Sequence, residues 1–364
     1  MKQKEKRITI GLDLGERRHR FCALNQRGEV VEEGSLANDR SALARLTARY
    51  RGALAVMEAG AHSPWVSRYL KELGFEVIVS NPRKVRAIYQ QERKSDQRDA
   101  LMLARIGRMD RSLLYPVRHG SEEAQQDLLR IKLRDSLVRA RVALINSVRF
   151  SLKSLGYKLS NASSQRFHKV AMENLPQEVR EMIAPSVQAV AELSARIAVL
   201  EREINVLAQT KYPQTTWLAQ IPGVGSLTAL YFVLKIEDPK RFNNVRDVGA
   251  YAGLCPRRDQ SGENDPQLRI SKRGDAYLRR LLVSAAQYIL GPFGPKSALR
   301  EYGLKLAADG TARARKRAVV AVARKLCVLL LSLWKNNSRY EPFPQRPTIE
   351  DTRSGTIAMH RLKA

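Results

Sequence analysis

Apolar and polar residues alternate near the start of the chain. Ile8, Ile10, Leu12 and Leu14 are separated by Thr9, Gly11 and Asp13, the period-two pattern of a strand with one buried face. Asp13 therefore shares a face with small residues, and Gly15 permits a sharp turn. A second strand is expected through Phe21 to Leu24 and, after the turn Gln26-Arg27-Gly28-Glu29, a third around Val30 to Glu33, giving an antiparallel meander. A helix is expected from about Ser41, a strand from Ala53 to Met57 ending at Glu58, a helix from Pro64 to Leu73 and a strand from Phe75 to Val79. Strands that first meander and then alternate with helices predict a mixed α/β sheet.

The period then lengthens. Between Glu122 and Ser154, Val138, Val142, Ile145, Val148 and Leu152 recur at threes and fours. A second long helix places Ile183, Val187, Val190, Leu193, Ile197, Leu200, Ile204 and Leu207 in a coiled-coil seam with one phase slip. Joined by the polar stretch Ser160 to Gln165, the two are expected to pair as an antiparallel arm; an ordinary helical hairpin packed on a domain is the alternative. After Pro213 the pattern breaks into short helices punctuated by Gly and Pro, and the tail after Pro342 has no periodicity and is expected to be partly disordered or to dock as a strap. With 364 residues, two or three units are expected: an α/β domain over 1–118, a helical arm over 119–212, an all-α domain over 213–340 and a polar tail over 341–364.

Charge narrows the partners. Lysine and arginine number 64 against 36 acids, a formal net charge of +28. Such an excess repels itself unless a polyanion neutralises it, which phosphate backbones do. Nucleic acid is the favoured partner over an anionic lipid surface. Cys22, Cys255 and Cys327 are scattered without CxxC spacing and read as reduced thiols. The opening MKQKEKRITIGLDLG lacks the apolar core of a signal peptide, and the longest apolar stretch, Leu326 to Trp334, falls far short of the ~20 residues of a membrane span. A cytoplasmic, nucleoid-associated protein without membrane contact is expected.

Four carboxylates are placed where they can converge. Asp13 and Glu58 each end a strand, while Asp96 and Asp99 stand three apart at the start of the helix KSDQRDALMLARIGR, on one face. Clustered acids repel unless cations lie between them, and hard oxygen donors suit Mg²⁺ or Mn²⁺. Two such ions about 4 Å apart can stabilise the attacking and leaving oxygens of phosphoryl transfer, so a metal-dependent nuclease centre is one reading. The plainer one leaves Asp13 shaping a turn, as in the GxDxG of actin-like sugar kinases, and Asp96 and Asp99 capping a helix.

In the C-terminal third, Ile221-Pro222-Gly223-Val224-Gly225 reads as a helix-hairpin-helix turn, in which Gly223 and Gly225 let the backbone approach a phosphate at a helix N-terminus; a tight interhelical turn is the alternative. Ser261 lies in Arg257-Arg258-Asp259-Gln260-Ser261-Gly262, where arginines could hold a phosphate for its hydroxyl to attack, unless it is simply a solvated turn residue. Ser271, in Arg269-Ile270-Ser271-Lys272-Arg273-Gly274, competes with it and reads as a cap or a phosphate contact. None of the five histidines suggests a ligand pair.

These segments together resemble the DEDD/serine transposases of the IS one-hundred-and-ten insertion-sequence family. The resemblance is carried by GLDLG, MEAGAHSPWVSRYL, NPRKVRAIYQQERKSDQRDA, RARVALINSVR, IPGVG and YAGLCPRRDQSG through QLRISKRGDAYLRRLLVSAAQYILGPFGP, in the family's order over roughly residues 8 to 295. It implies an N-terminal domain with the RNase H-like fold of Holliday-junction resolvases, its acidic tetrad on Asp13, Glu58, Asp96 and Asp99, then a coiled-coil arm and a helical transposase domain with a nucleophilic serine at Ser261. It further implies a Mg²⁺-dependent composite centre in a homodimer or homotetramer, a serine–DNA phosphoester, double-stranded donor and target DNA, and a structured guide RNA. The stretch Gly262 to Gln267 is less basic than in some relatives, which leaves DNA contacts there open. Two rivals remain: a resolvase-like nuclease that uses water and leaves Ser261 idle, and an architectural binder in which charge alone matters.

Overall fold

The computed structural model describes residues 8–85, 96–266 and 268–344. Residues 86–95 of the NPRKVRAIYQQERKSDQRDA block, Gln267 and the tail from 345 onward lie outside the described residues. The chain divides into two compact units, residues 1–122 and 123–364.

The first unit is built on a five-stranded mixed sheet of β1 (Thr9–Asp13), β2 (Arg18–Leu24), β3 (Val30–Ala37), β4 (Leu54–Glu58) and β5 (Glu76–Ser80), ordered β3-β2-β1-β4-β5. The expected meander is present, since β1 pairs antiparallel with β2 and β2 with β3, while β4 and β5 add in parallel. Both parallel additions require crossovers, supplied by helices α1 (Arg40–Arg49) and α2 (Ser63–Glu72). Asp39 starts α1 by accepting the Ala42 amide at 2.7 Å, and Pro64 sits at the first helical positions of α2, where no amide is required.

Alternation along β1 and β4 gives the sheet two different faces. Ile10, Leu12, Ala55 and Met57 pack with Leu43, Leu46, Val66 and Leu70 of α1 and α2. The opposite face carries Cys22, Leu24, Leu54 and Val56, covered by Ala100, Leu103, Ala104 and Ile106. These four lie on the fourth helix, α4 (Asp96–Met109), which follows a single turn, α3 (Pro82–Val85). The result is helix, sheet, helix.

The second unit is helical: α5 (Glu122–Ser154), α6 (Phe167–Val170), α7 (Gln177–Thr210), α8 (Gln214–Leu218), α9 (Ser226–Ile236), α10 (Asp247–Tyr251), α11 (Ala276–Leu290), α12 (Ala298–Leu306) and α13 (Ala312–Asn336). α9 is buried from Thr228 to Leu234 and again at Ile236; α11 and α13 pack with it, and so do Ala124, Leu128 and Ile131 of α5 and Ile204 and Ala208 of α7. Farther out, Ile145, Val148 and Leu152 of α5 meet Val179, Ile183, Val187 and Val190 of α7 around the buried ring of Phe167. Arg130 pairs with Glu203 at 3.7 Å, Arg134 with Glu201, and Arg141 donates to Ser194 at 3.3 Å. Partner numbers fall as residue numbers rise, so α5 and α7 run antiparallel. By length and composition α7 could also cross a membrane, yet its most buried positions belong to this seam.

One expectation fails. The region after Pro213 is not made only of short helices, because α13 runs for 25 residues. Its core stripe begins with alanines, Ala314 and Ala318, before reaching Leu326, Leu330 and Leu333, and alanine at helical spacing does not stand out as an apolar pattern.

Candidate active site

Asp13 is the last residue of β1 and Glu58 the last of β4. The strands are parallel neighbours with Leu12 opposite Met57, so the two carboxylates leave the same sheet edge side by side, both half-buried. Alternation puts Asp13 on the face of Thr9 and Gly11, and Glu58 on that of Leu54 and Val56. This is the face that α4 covers.

Close packing sets the position of α4. A Cβ added to Gly11 would lie 1.9 Å from the Ala100 carbonyl oxygen and 2.6 Å from the Ala104 amide nitrogen, while one on Gly107 would lie 2.5 Å from a Val56 methyl and 3.6 Å from that of Thr9. Ascending α4 thus means descending β1, and the helix brings its first turn over the carboxyl edge of the sheet. Asp96, exposed, extends the Ala100–Ala104 stripe that lies on β1; Asp99, half-buried, extends the Leu103–Ile106 stripe over Leu54 and Val56. Gln97 ties the turn to the sheet through Glu33 Oε1 at 2.5 Å. All four sequence-derived acids therefore stand at one edge, with Arg20 opposite Asp13 in register.

A divalent cation suits this donor chemistry, since all four are carboxylates. Among the described residues, no three His, Cys, Asp or Glu side chains already form a set that could hold a metal ion, so the acids share an edge without forming a closed cage. One further atom belongs to the same edge. Ser80 pairs in register with Glu58, is fully buried, and its hydroxyl finds no hydrogen-bond partner among the described residues.

The loops that follow the two strand-borne acids are stitched together. Asn38 Nδ2 donates to the carbonyls of Gly15 at 3.3 Å and Glu16 at 2.9 Å and lies 3.4 Å from His62 Nδ1, while His62 Nε2 meets the Glu16 carboxylate at 2.9 Å. Ser63 Oγ accepts the Gly60 amide at 2.9 Å, reaches the Gly60 carbonyl at 2.9 Å and lies 2.8 Å from His119 Nε2. His19 is buried with its ring 6.4 Å from that of His62. Burial, then the neighbouring His62, hold its pKa below the ordinary histidine value, and Asn38 offsets part of this without reaching hydrogen-bond geometry. Sequence reasoning set the histidines aside as ligands; His62 and His119 instead brace these loops, and His19 lies beside His62. The local signal was His62-Ser63-Pro64, a helix start that begins four residues after Glu58.

In the second unit, Gly223 has φ +84°, and a Cβ there would lie 2.9 Å from the Ala285 carbonyl and 3.1 Å from the Tyr288 ring. Its glycine is required for packing on α11. Gly225 is the N-cap of α9, is exposed and has open space where a Cβ would lie. Ser261 lies at the tip of a β-ribbon. Pro256 pairs with Ile270, Arg257 N donates to Arg269 O at 3.0 Å, Ser271 N to Cys255 O at 2.9 Å, and Ser261 and Asn264 exchange two backbone bonds of 3.1 Å across a turn with Gly262 at φ +58°. Arg257, Arg258, Ser261, Arg269, Lys272 and Arg273 are exposed.

The root of the ribbon is rigidly packed. A Cβ on Gly274 would lie 2.0 Å from the Tyr251 carbonyl and 2.8 Å from Gly253 N, and Arg279 donates to the carbonyls of Ala252 at 3.1 Å and Gly274 at 3.3 Å. The cap of α11 is Asp275 and not Ser271. It accepts the amides of Tyr277 and Leu278 at 2.9 Å, the Tyr231 hydroxyl at 3.1 Å and Lys235 Nζ at 3.1 Å. Burial alone would raise the Asp275 carboxyl, but the Leu278 amide and Lys235 outweigh it and hold its pKa below the ordinary value.

Comparison with known proteins covers both units. Residues 10–156 match the model of a DEDD transposase family, and residues 215–301 match that of the transposase IS116/IS110/IS902 family. The transposase for insertion sequence element IS1111A of Coxiella burnetii is 27% identical over 340 residues, 91% of this chain and 90% of that protein. A probable family 20 transposase of Pseudomonas aeruginosa is 29% identical over 92% of this chain and 98% of its own. The transposase for insertion sequence element IS1328 of Yersinia enterocolitica is 30% identical over 76% of this chain and 82% of its own.

Proposed function

Because the chain belongs to the transposase IS116/IS110/IS902 family and acts as a DNA transposase, we propose that it cuts and rejoins donor and target duplexes with Asp13, Glu58, Asp96 and Asp99 as its metal ligands and Ser261 as its nucleophile. The observation that supports this most is the shared sheet edge, where β1 and β4 end in neighbouring acids and α4 descends onto them. The β3-β2-β1-β4-β5 order with antiparallel β2 and β3 supports an RNase H-like first domain. The antiparallel α5 and α7 support a coiled-coil arm, and the Gly225 helix start supports a helix-hairpin-helix phosphate contact.

The chemistry follows from the residues. The Ser261 hydroxyl attacks phosphorus, the DNA hydroxyl leaves, and the resulting phosphoserine ester keeps the bond energy until a second strand's hydroxyl displaces the serine. Arg257, Arg258, Arg269, Lys272 and Arg273 hold the phosphate and offset its charge. A bound Mg²⁺ or Mn²⁺ would supply Lewis-acid stabilisation of the attacking and leaving oxygens. Sequence choice comes from a structured guide RNA paired with both DNAs, and a charge of +28 supports an assembly so rich in phosphate. The assembly is a cytoplasmic homodimer or homotetramer.

A denaturing gel of labelled DNA after reaction tests this. Wild type yields a covalent protein–DNA adduct that Ser261→Ala lacks. Cleavage undiminished in Ser261→Ala would favour hydrolysis by water at the carboxylate edge.

A further inference from the structure

Ser80 ends β5 and faces Glu58 across the parallel pair β4–β5. Register partners project to the same side of a sheet. Two residues earlier on β5, Ile78 packs against the cluster of Leu54, Val56, Leu103, Ile106 and Leu114, so Ser80 and Glu58 both lie on the α4 side of the sheet at its carboxyl edge. The Ser80 carbonyl is used, accepting the Ala59 amide at 3.0 Å. The hydroxyl is not: it is fully buried and, among the described residues, without a hydrogen-bond partner.

A buried hydroxyl left unpaired costs about 1–3 kcal/mol, whereas alanine in the same place would cost nothing of the kind. Buried polar atoms without partners are rare, and each calls for a reason. Here the reason lies beside it. A carboxylate that binds a cation is itself held by hydrogen bonds from its surroundings, and such outer partners fix its orientation. A serine hydroxyl is a donor at the right place, and the acids around it can only accept.

We propose that Ser80 is a positioning residue of the carboxylate edge: its hydroxyl donates to the oxygen shell, through Glu58, of a divalent cation held there. This rests on reading Glu58 as a metal ligand. Ser80 makes no contact with the reacting atoms; it sets the direction in which Glu58 presents its oxygens.

Thermal melting of the full-length protein titrated with Mn²⁺ alone tests the assignment without any DNA, since a cation that binds the folded chain raises its melting temperature by mass action. Ser80→Ala should melt, without added metal, at or above the wild-type temperature, because an unsatisfied group has been removed. The Mn²⁺ concentration giving half the effect should rise by about 10–100-fold. Ser80→Thr keeps the hydroxyl and should stay near the wild-type half-effect concentration even where its added methyl lowers the melting temperature. An unchanged half-effect concentration in Ser80→Ala, with the response lost in Glu58→Gln, would overturn the role of Ser80 and leave the carboxylate site standing. A wild-type Mn²⁺ response in Glu58→Gln would remove the carboxylate reading, and Ser80's role with it.

Discussion

The Ala100 carbonyl oxygen stands 1.9 Å from the point where a Cβ on Gly11 would lie. Only a residue without a side chain lets α4 lie this close to β1, and the offending atom is backbone, which cannot rotate away. Gly11→Ala should therefore push α4 off the sheet and carry Asp96 and Asp99 away from Asp13 and Glu58. The expected outcome is a loss of several degrees in melting temperature together with loss of DNA cleavage, read by calorimetry and by the gel assay. A melting temperature equal to wild type would contradict the packing.

Ser63 serves three contacts with one hydroxyl proton. When His119 carries its proton on Nε2, Ser63 Oγ accepts from both His119 and the Gly60 amide and points its own proton at the Gly60 carbonyl. Ser63→Ala removes the side-chain partner of the Gly60 amide and should cost about 0.5–1.5 kcal/mol, measured by urea unfolding. His119→Ala leaves the Gly60 clamp intact and should cost less. Equal losses in the two variants would argue against this division of labour.

Tyr212 donates to Asp127 at 2.7 Å, and burial followed by that carboxylate pushes its pKa up to about 12. Tyr50, half-buried and bonded to Glu32, is likewise raised to about 12. A folded-state pKa above the unfolded value of about 10 means that the stabilisation is complete below pH 10 and is lost as pH climbs toward 12. Melting temperature should fall across that window, and Tyr212→Phe should flatten the fall. A profile identical to wild type in Tyr212→Phe would exclude Tyr212 from the transition.

Lys272 takes φ +52° beside Arg273, with both exposed at the foot of the ribbon. If each holds one backbone phosphate, Arg273→Ala should reduce the slope of log affinity against log salt by about 0.9, similarly for unrelated duplexes. Fluorescence anisotropy at several salt concentrations measures this. A slope unchanged from wild type would take Arg273 out of the interface.

Much of the first unit was legible because β1 is short and alternating, so Asp13 could be assigned a face directly even though both faces are covered. Even the close crossing left a trace, in small residues at Gly11 and again at Ala100, Ala104 and Gly107. The seam of α7 was readable because its apolar residues are large. α13 was not, since its inner stripe opens with alanines, although Thr311 caps its start through the Ala314 amide and Asn337 closes it in the left-handed region. Ser80 carried no local signal at all. Leu114 and Val117, which bond its neighbours Asn81 and Val79, lie more than thirty residues away, and its isolation only has meaning beside Glu58. His62 and His119 were invisible for the same reason: contacts made between separate loops leave no spacing to count.

The ribbon that bears Ser261 is clamped where Gly253 and Gly274 interlock, and among the described residues the backbone bonds at its far end run between Ser261 and Asn264. Mechanically it is a cantilever, in which a slight rotation at the clamp becomes a larger sweep at the free end. Adding bulk at either glycine would redirect the serine from a distance, with no change to the serine's own surroundings.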